Sequence, residues 1–327
     1  MKNQIKNKII TAAADDLEKI EIALKTNLDP YLEMVKNISG HILFSGGKRL
    51  RPLLMILCAR ICGYKGADLI HFSTMFEYLH VATLLHDDVI DQAEIRRGKK
   101  AAHHVFGAAE TVLTGDYLLA KALSIAGETN KMAIIKLAAS ITEQMAQGEL
   151  LQMLNQRNPD LTENDYFQIV NSKTAVLIQA ACESGAILAE SSPEIINLIS
   201  NYGKNIGIAF QIADDILDYS AETKILGKQV GADLREGKLT LPVIYTLKNA
   251  NSSERSFIEK VIQDVNFSNI EFEKLINIMN KYNSLTYCQN EAKKFVNKAC
   301  YQLKDMPQIP ELQILYDIAD FVVAREN

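Results

Sequence analysis

Apolar residues recur at three- and four-residue spacing along two long proline-free stretches, Leu53 through Asn158 and Glu194 through Leu241. That spacing puts them on one side of a helix, so each stretch predicts helices with a buried face. Both are rich in Ala, Leu, Ile and Met, residues that lose little on entering a helix. Alternating β-branched runs bounded by Asn-Gly or Asp-Gly turns are missing, and the pattern predicts an all-α fold. Breaks are expected at Ser39-Gly40, Gly63 to Gly66, Gly98 to Ala101, Asn158-Pro159, Ser191-Ser192-Pro193 and through a loop from Ser220 to Lys238. None is long enough for a flexible interdomain linker, and no fixed-period repeat is present. Residues 1–327 are therefore read as a single domain, one large bundle of long helices around a central cavity.

Two acidic clusters interrupt this apolar pattern, Asp87-Asp88-Val89-Ile90-Asp91 and Asp214-Asp215-Ile216-Leu217-Asp218. Their flanks, Val81-Ala82-Thr83-Leu84-Leu85 and Ile212-Ala213, predict burial. Ionised oxygens taken out of water are costly unless something positive compensates them. At about 100° per residue the first and last Asp of each cluster lie about 40° apart and one turn on, so each helix aims two carboxylates at one point. Oxygen-only ligands of this kind suit Mg²⁺, which keeps several waters and is completed by phosphate. Asp87, Asp88, Asp91, Asp214, Asp215 and Asp218 are the candidate metal ligands, and two facing clusters would hold a diphosphate between them.

Composition narrows the partner. The net charge is -5, hydrophobic residues make up 48% of the chain and there is no Trp, which gives no reason to expect nucleic acid. The five cysteines lack zinc-site spacing and read as reduced thiols. No apolar stretch follows the basic start Met1-Lys2-Asn3-Gln4-Ile5-Lys6, and no run is long enough for a bilayer, so a soluble cytoplasmic enzyme is expected. Basic residues gather in Gly46-Gly47-Lys48-Arg49-Leu50-Arg51-Pro52, in Arg96-Arg97-Gly98-Lys99-Lys100, and at Lys228, Arg235 and Lys238. Paired glycines admit an anion close to the backbone, and Arg offers a fork matched to phosphate oxygens. Neither a Walker phosphate loop nor GxGxxG is present, so the phosphate carrier is expected to be apolar rather than a nucleotide. One turn before Asp87 stand the small Ala82 and Thr83, past which a lipid chain could lie.

In combination these motifs resemble the trans-isoprenyl diphosphate synthases. The ordered markers are GGKRLRP, LLHDDVID followed by RRG, Lys173-Thr174, Phe210-Gln211-Ile212-Ala213-Asp214-Asp215-Ile216-Leu217-Asp218, Gly227-Lys228, and Gly231 through Lys238, and the resemblance extends to Ala319-Asp320-Phe321-Val322-Val323. It implies a head-to-tail condensation of isopentenyl diphosphate onto an allylic diphosphate such as geranyl or farnesyl diphosphate. Mg²⁺, three ions with diphosphate bound, would be held by Asp87, Asp91 and Asp214 with Asp88, Asp215 and Asp218 in support, drawing charge onto the leaving group. Arg96, Lys173 and Lys228 look like the family's allylic-diphosphate contacts, with Lys238 beside them, and Thr174 and Gln211 like the dipoles facing the carbocation. Lys48, Arg51, His80 and Arg97 look like the isopentenyl diphosphate pocket; His80 lies two turns before Asp87 on the same face. Gln147 matches a further family position near the metals. A homodimer is also implied, with transient membrane contact on product release.

Short-chain members close the tunnel with an aromatic residue at the positions of Ala82 or Thr83, and the local pattern is most similar to the long-chain bacterial, octaprenyl class. The next possible floors are Leu79, Tyr78 and Phe76 on the same helix or Leu123 on the following one. A long product serving as a quinone tail is expected; an inward Tyr78 or Phe76 would instead stop growth near C20, the geranylgeranyl length. A terpene cyclase would replace the second Asp cluster with a mixed Asn/Ser/Glu motif, and a non-catalytic subunit of a heteromeric synthase would have degraded clusters. Both clusters are intact.

Overall fold

The structure, a computed structural model, describes residues 2–219 and 231–324. Helices dominate: α1 (Lys2–Ala12), α2 (Ala14–Asn27), α3 (Glu33–Leu43), α4 (Leu50–Ile61), α5 (Leu69–Ser73), α6 (Met75–Ile90), α7 (Ala102–Phe106), α8 (Ala108–Glu128), α9 (Met132–Leu154), α10 (Glu163–Val170), α11 (Val176–Leu188) and α12 (Pro193–Asp218). After residue 230 come α13 (Ala232–Arg235), α14 (Leu241–Asn249), α15 (Ser252–Gln263), α16 (Asn269–Lys281), α17 (Ser284–Gln302) and α18 (Pro310–Ala324). The all-α expectation holds, with one small exception. Ile95–Arg96 and Lys99–Lys100 pair as a two-residue antiparallel ladder. Arg97 (φ 51°) and Gly98 (φ 77°) make the tight turn between them, both in the left-handed region that such hairpin turns require.

Helix ends follow the expected chemistry where local side chains decide them. Ser192 caps α12 through the Ile195 N–H, with Pro193 in the first turn. Thr162 and Asp165 form a reciprocal capping box on α10. The break expected at Ser39-Gly40 does not occur, because both residues lie inside α3. Ile38, Ile42 and Leu43 are fully or nearly fully buried along that helix. Their burial outweighs the roughly 1 kcal/mol that a mid-helix glycine costs.

The apolar side chains form two adjoining cores. One lies among α2, α4, α6, α8, α9, α11 and α18, the other among α10, α14, α15, α16 and the end of α12. Phe295 on α17 and Val323 on α18 pack against both. Helix α12 crosses from the first to the second and carries the second Asp cluster at its C-terminal end. The first cluster ends α6 in the same way. No helix among the described residues is long and apolar enough to cross a membrane.

A buried ionic clamp fixes the entrance to α4. Arg49 takes a left-handed conformation (φ 48°) immediately before the helix. Its guanidinium donates to Glu77 on α6 at 2.7 Å, to Glu21 on α2 at 2.5 Å and to the Leu43 carbonyl of α3 at 2.5 Å. Arg49 and Glu77 are each 3% exposed, so removing one partner strands the other's charge in the interior. Arg49→Ala is expected to cost about 3–5 kcal/mol of stability, and Arg49→Met with Glu77→Leu much less. Urea unfolding measures both; a single-variant loss no larger than that of the double would contradict the clamp.

Candidate active site at the cavity mouth

A cavity of about 1450 Å³ opens between the ends of α6 and α12, and Asp87 and Asp214 both line it. Leu79, Ala82 and Thr83 of α6, Leu119 of α8, Thr142 and Met145 of α9, and Leu177 and Ile178 of α11 form its apolar walls. Lys48, Arg51, His80, Arg96, Arg97 and Lys173 line its charged part. A smaller chamber of about 140 Å³ lies behind, lined by Tyr166, Asp215, Asp233 and Lys238. Lys173, Thr174 and Gln211 border both spaces.

The six aspartates do not play equivalent parts. Asp88 is fully buried and ion-paired to Arg96, whose Nε donates at 2.7 Å, while its other oxygen has no hydrogen-bond partner. Asp91 accepts from Lys238 at 2.8 Å, a contact that ties the first cluster to the segment after the second. Asp215 turns away from the large cavity and accepts from Tyr166 at 2.6 Å and from Gln211 at 2.8 Å. Asp218 accepts the backbone N–H groups of Ala232 and Asp233 at 3.1 and 3.2 Å, capping α13. Asp87 and Asp214 are thus the pair presented to the cavity.

Burial governs the electrostatics. It pushes the Asp87 carboxyl up to about 6, against the pull of Lys173 and with the help of Glu149 and Asp91. Burial and Asp218 push Asp233 up to about 7, and burial and Asp233 hold Asp215 well above the usual carboxylate range. Burial disfavours the Lys238 ammonium, but its hydrogen bonds to Asp91 and Glu236 outweigh this and raise its pKa. Lys173 donates to Gln152 at 2.7 Å and pairs with Glu149. Thr174 donates to the Gln211 carbonyl oxygen at 3.0 Å, so Thr174, Gln211, Asp215 and Tyr166 form one chain.

This donor set fits a hard divalent cation that shares its coordination with phosphate. Among the described residues no three His, Cys, Asp or Glu side chains converge as a ready-made metal cage. Mg²⁺ does not require one, since it keeps water and is bound through one or two carboxylates plus substrate phosphate. The buried Asp88 oxygen without a hydrogen-bond partner is the observation that fits a further cation at this site.

A second, cationic pocket adjoins the first. Lys48 lies over the rings of Phe321 at 5.2 Å and Phe210 at 6.0 Å. Arg97 donates to the Ile42 carbonyl at 3.2 Å and also to the Gly46 carbonyl, drawing the glycine loop inward. Arg51 has a buried Nε without a partner. Burial lowers its pKa, with Glu77 and Asp214 opposing. These cations converge on a place where an anion would satisfy an orphaned donor.

Other expected residues fall elsewhere. Tyr78 is fully buried and donates its hydroxyl to the Leu24 carbonyl at 2.8 Å, so it points toward α2 and does not line the cavity. Phe76 and Leu123 are packed in the first core without lining the cavity, and the α8 side chain that does is Leu119, one turn earlier. Gln147 is exposed on α9 and lines neither cavity. Arg235 lies over the Phe267 ring at 4.1 Å and donates to its carbonyl, serving the second core. Lys228, with Gly227, lies outside the described residues. Sequence reasoning missed Glu149, Gln152, Tyr166 and Asp233. Only Asp233, inside the glycine-flanked segment before Lys238, carried a signal that could have marked it.

Known proteins resemble this chain along nearly its whole length. The family model described as "Polyprenyl synthetase" matches residues 32–279. The chain is 34% identical over 320 residues to octaprenyl diphosphate synthase of Escherichia coli K12, covering 98% of this chain and 99% of that one. Among solved structures, a decaprenyl diphosphate synthase from Rhodobacter capsulatus superposes with a TM-score of 0.92 at 34% identity, covering 98% and 99% of the two chains. A polyprenyl synthase from Caulobacter crescentus CB15, complexed with calcium and isoprenyl diphosphate, also gives 0.92, at 33% identity and 98% coverage of each chain.

His80 provides a check on the cationic pocket. Burial holds its imidazole well below its ordinary pKa, and Arg51, Arg97, Arg96 and Arg49 add to the effect. It is expected to be neutral at pH 7, with its NMR titration displaced well below the ordinary imidazole midpoint of about 6.5. Because the folded value is depressed, the unfolded chain takes this proton first. His80 therefore withdraws stability as pH falls below about 6.5, and His80→Gln should flatten that part of the profile. A midpoint near 6.5 in the folded protein would contradict the assigned environment.

Proposed function

The chain belongs to the polyprenyl synthetase family, and from that membership we propose that it extends an allylic diphosphate with isopentenyl diphosphate units into a long all-trans polyprenyl diphosphate, octaprenyl-like in length. The observation that carries this reading is the shape of one cavity. Its mouth joins two acidic helix ends to a cationic pocket, and its body is apolar.

In this reading Asp87, Asp91 and Asp214 would hold the metal, three Mg²⁺ ions when diphosphate is bound, with Asp88, Asp215 and Asp218 in support. Mg²⁺ bound there would neutralise the charge that develops on the leaving diphosphate. Lys173, Arg96, Lys228 and Lys238 bind the same diphosphate as fixed positive charge. The allylic C–O bond breaks, and the Thr174 hydroxyl and Gln211 carbonyl oxygen face the resulting cation. Lys48, Arg51, Arg97 and His80 hold isopentenyl diphosphate so that its double bond meets the allylic carbon. The isopentenyl double bond then attacks the allylic cation to form the new C–C bond, and the released diphosphate accepts the proton whose loss restores a double bond. Thr174 and Gln211 are held by the chain ending at Tyr166, which fixes their dipoles before the charge appears.

The growing chain passes Ala82 and Thr83 and reaches Leu79, eight residues and about 12 Å below Asp87. Leu119, Thr142 and Ile178 line the same cavity. Leu79 and Thr142, as cavity-lining side chains, are the chain-length positions in this reading. The exposed Leu113, Leu150 and Leu154 of α8 and α9 support a homodimer in which a second copy covers them. The protein is assigned to the cytoplasm, its product passing to a membrane as a quinone tail.

With Mg²⁺, isopentenyl diphosphate and farnesyl diphosphate, the protein is expected to yield C35 to C45 products, read by mass spectrometry after dephosphorylation. Ala82→Tyr should stop growth near C15 and Thr142→Phe near C20. An unchanged product distribution in both variants would overturn the tunnel, and hydrocarbon formed without isopentenyl diphosphate would revive the cyclase reading.

A further inference from the structure

Lys173 and Thr174 do not sit on a regular helix. They lie in a single π-helical turn, Asn171–Ala175, between α10 and α11. Such a turn carries one residue more than the helix around it and bulges outward, so its neighbours must make room. Here both neighbours are glycines. On α9, a Cβ at Gly148 would stand 2.8 Å from the Lys173 backbone N and 2.9 Å from the Ser172 carbonyl carbon. On α12, a Cβ at Gly207 would stand 2.6 Å from the Ala175 Cα and 3.1 Å from its carbonyl oxygen. The obstructing atoms are mostly backbone, which has no flexible end that could swing aside.

We propose that Gly148 and Gly207 are positioning residues. By lacking side chains they let α9 and α12 close on the turn from two sides and set the register in which Lys173 and Thr174 reach the reacting diphosphate. The same two helices supply the partners of those side chains. Glu149 and Gln152 of α9 hold Lys173, and Gln211 of α12 accepts from Thr174. Backbone contact and side-chain contact are thus made by the same pair of helices. A shift of the turn against either one would displace the ammonium and the hydroxyl from their partners together. None of the atoms nearest Gly148 or Gly207 belongs to Lys48, Arg51, His80 or Arg97.

The inference rests on the proposed assignment of the allylic diphosphate to Lys173 and of isopentenyl diphosphate to the cationic pocket. Its test uses Gly148→Ala and Gly207→Ala in the full chain, with Gly203→Ala as control. A Cβ at Gly203 would meet the Gln179 Cα at 2.8 Å and the Cys182 Sγ at 2.9 Å, an equal insult to α11 about one turn away from the site. Gly148→Ala and Gly207→Ala are each expected to raise KM for farnesyl diphosphate on the order of tenfold or more, leaving KM for isopentenyl diphosphate within about twofold. Gly203→Ala should lower Tm comparably without moving the ratio of the two constants. If neither constant moves in the folded Gly148 and Gly207 variants, or all three variants behave alike, the positioning role is wrong. If the rise falls on isopentenyl diphosphate instead, the positioning role stands and the assignment of the two subsites is wrong. Should both alanine variants fail to fold, deletion of Ser172 removes the extra residue of the turn without adding bulk. A folded deletion protein with wild-type constants for both substrates would overturn the proposal.

Discussion

Everything at this site depends on negative charge held where water is scarce. Carboxylates at the ends of α6 and α12 are costly there unless compensated, and the compensation is divided among unlike partners. Asp88 has Arg96, Asp91 has Lys238, Asp215 has the Tyr166 hydroxyl and the Gln211 amide, and Asp218 has two backbone N–H groups of α13. These contacts fix the helix ends relative to one another. Asp87 and Asp214 are presented to the large cavity, where burial raises the Asp87 carboxyl and a metal bound to diphosphate would supply positive charge.

The same economy explains why the two charged pockets adjoin without collapsing into each other. Arg97 is tied to the backbone of the glycine loop, Lys48 lies over two aromatic rings, and the Arg49 clamp fixes the chain between them. An acidic pocket that takes its anion through metal and a cationic pocket that takes one directly can then share a single cavity. Head-to-tail condensation of two diphosphates requires that arrangement.

Much of this was legible in the sequence, for a definable reason. Helical periodicity places Asp87 and Asp91, or His80 and Asp87, on one face without any knowledge of the fold. The glycine breaks at Gly63 to Gly66 and Gly98 to Ala101 were equally local. Periodicity fixes a face but not the neighbour that face meets, which is why Tyr78 reads as a tunnel floor until its hydroxyl is found on the Leu24 carbonyl. Gly40 failed as a break because burial on either side of it overrode its own preference. Arg49 with Glu77, Tyr166 with Asp215 and Gly148 with the π turn are pairings between distant segments, and no local pattern announces them. The family resemblance supplied roles for individual residues, including Asp87, Asp91 and Asp214 at the metal with Asp88, Asp215 and Asp218 in support, but not the side chains and backbone groups that hold each one.

The central claim is that the two acidic helix ends act as one site, joined through metal and a single diphosphate. The most direct test is calorimetric binding of a non-ionising thio analogue of farnesyl diphosphate to the wild-type protein, Asp87→Asn, Asp214→Asn and the double variant, each with and without Mg²⁺. Binding should require Mg²⁺, each single variant should lose most of it, and the double should be little worse than either single, the non-additivity expected of residues that share one ligand. Tight binding without Mg²⁺, or losses that simply add, would contradict the account.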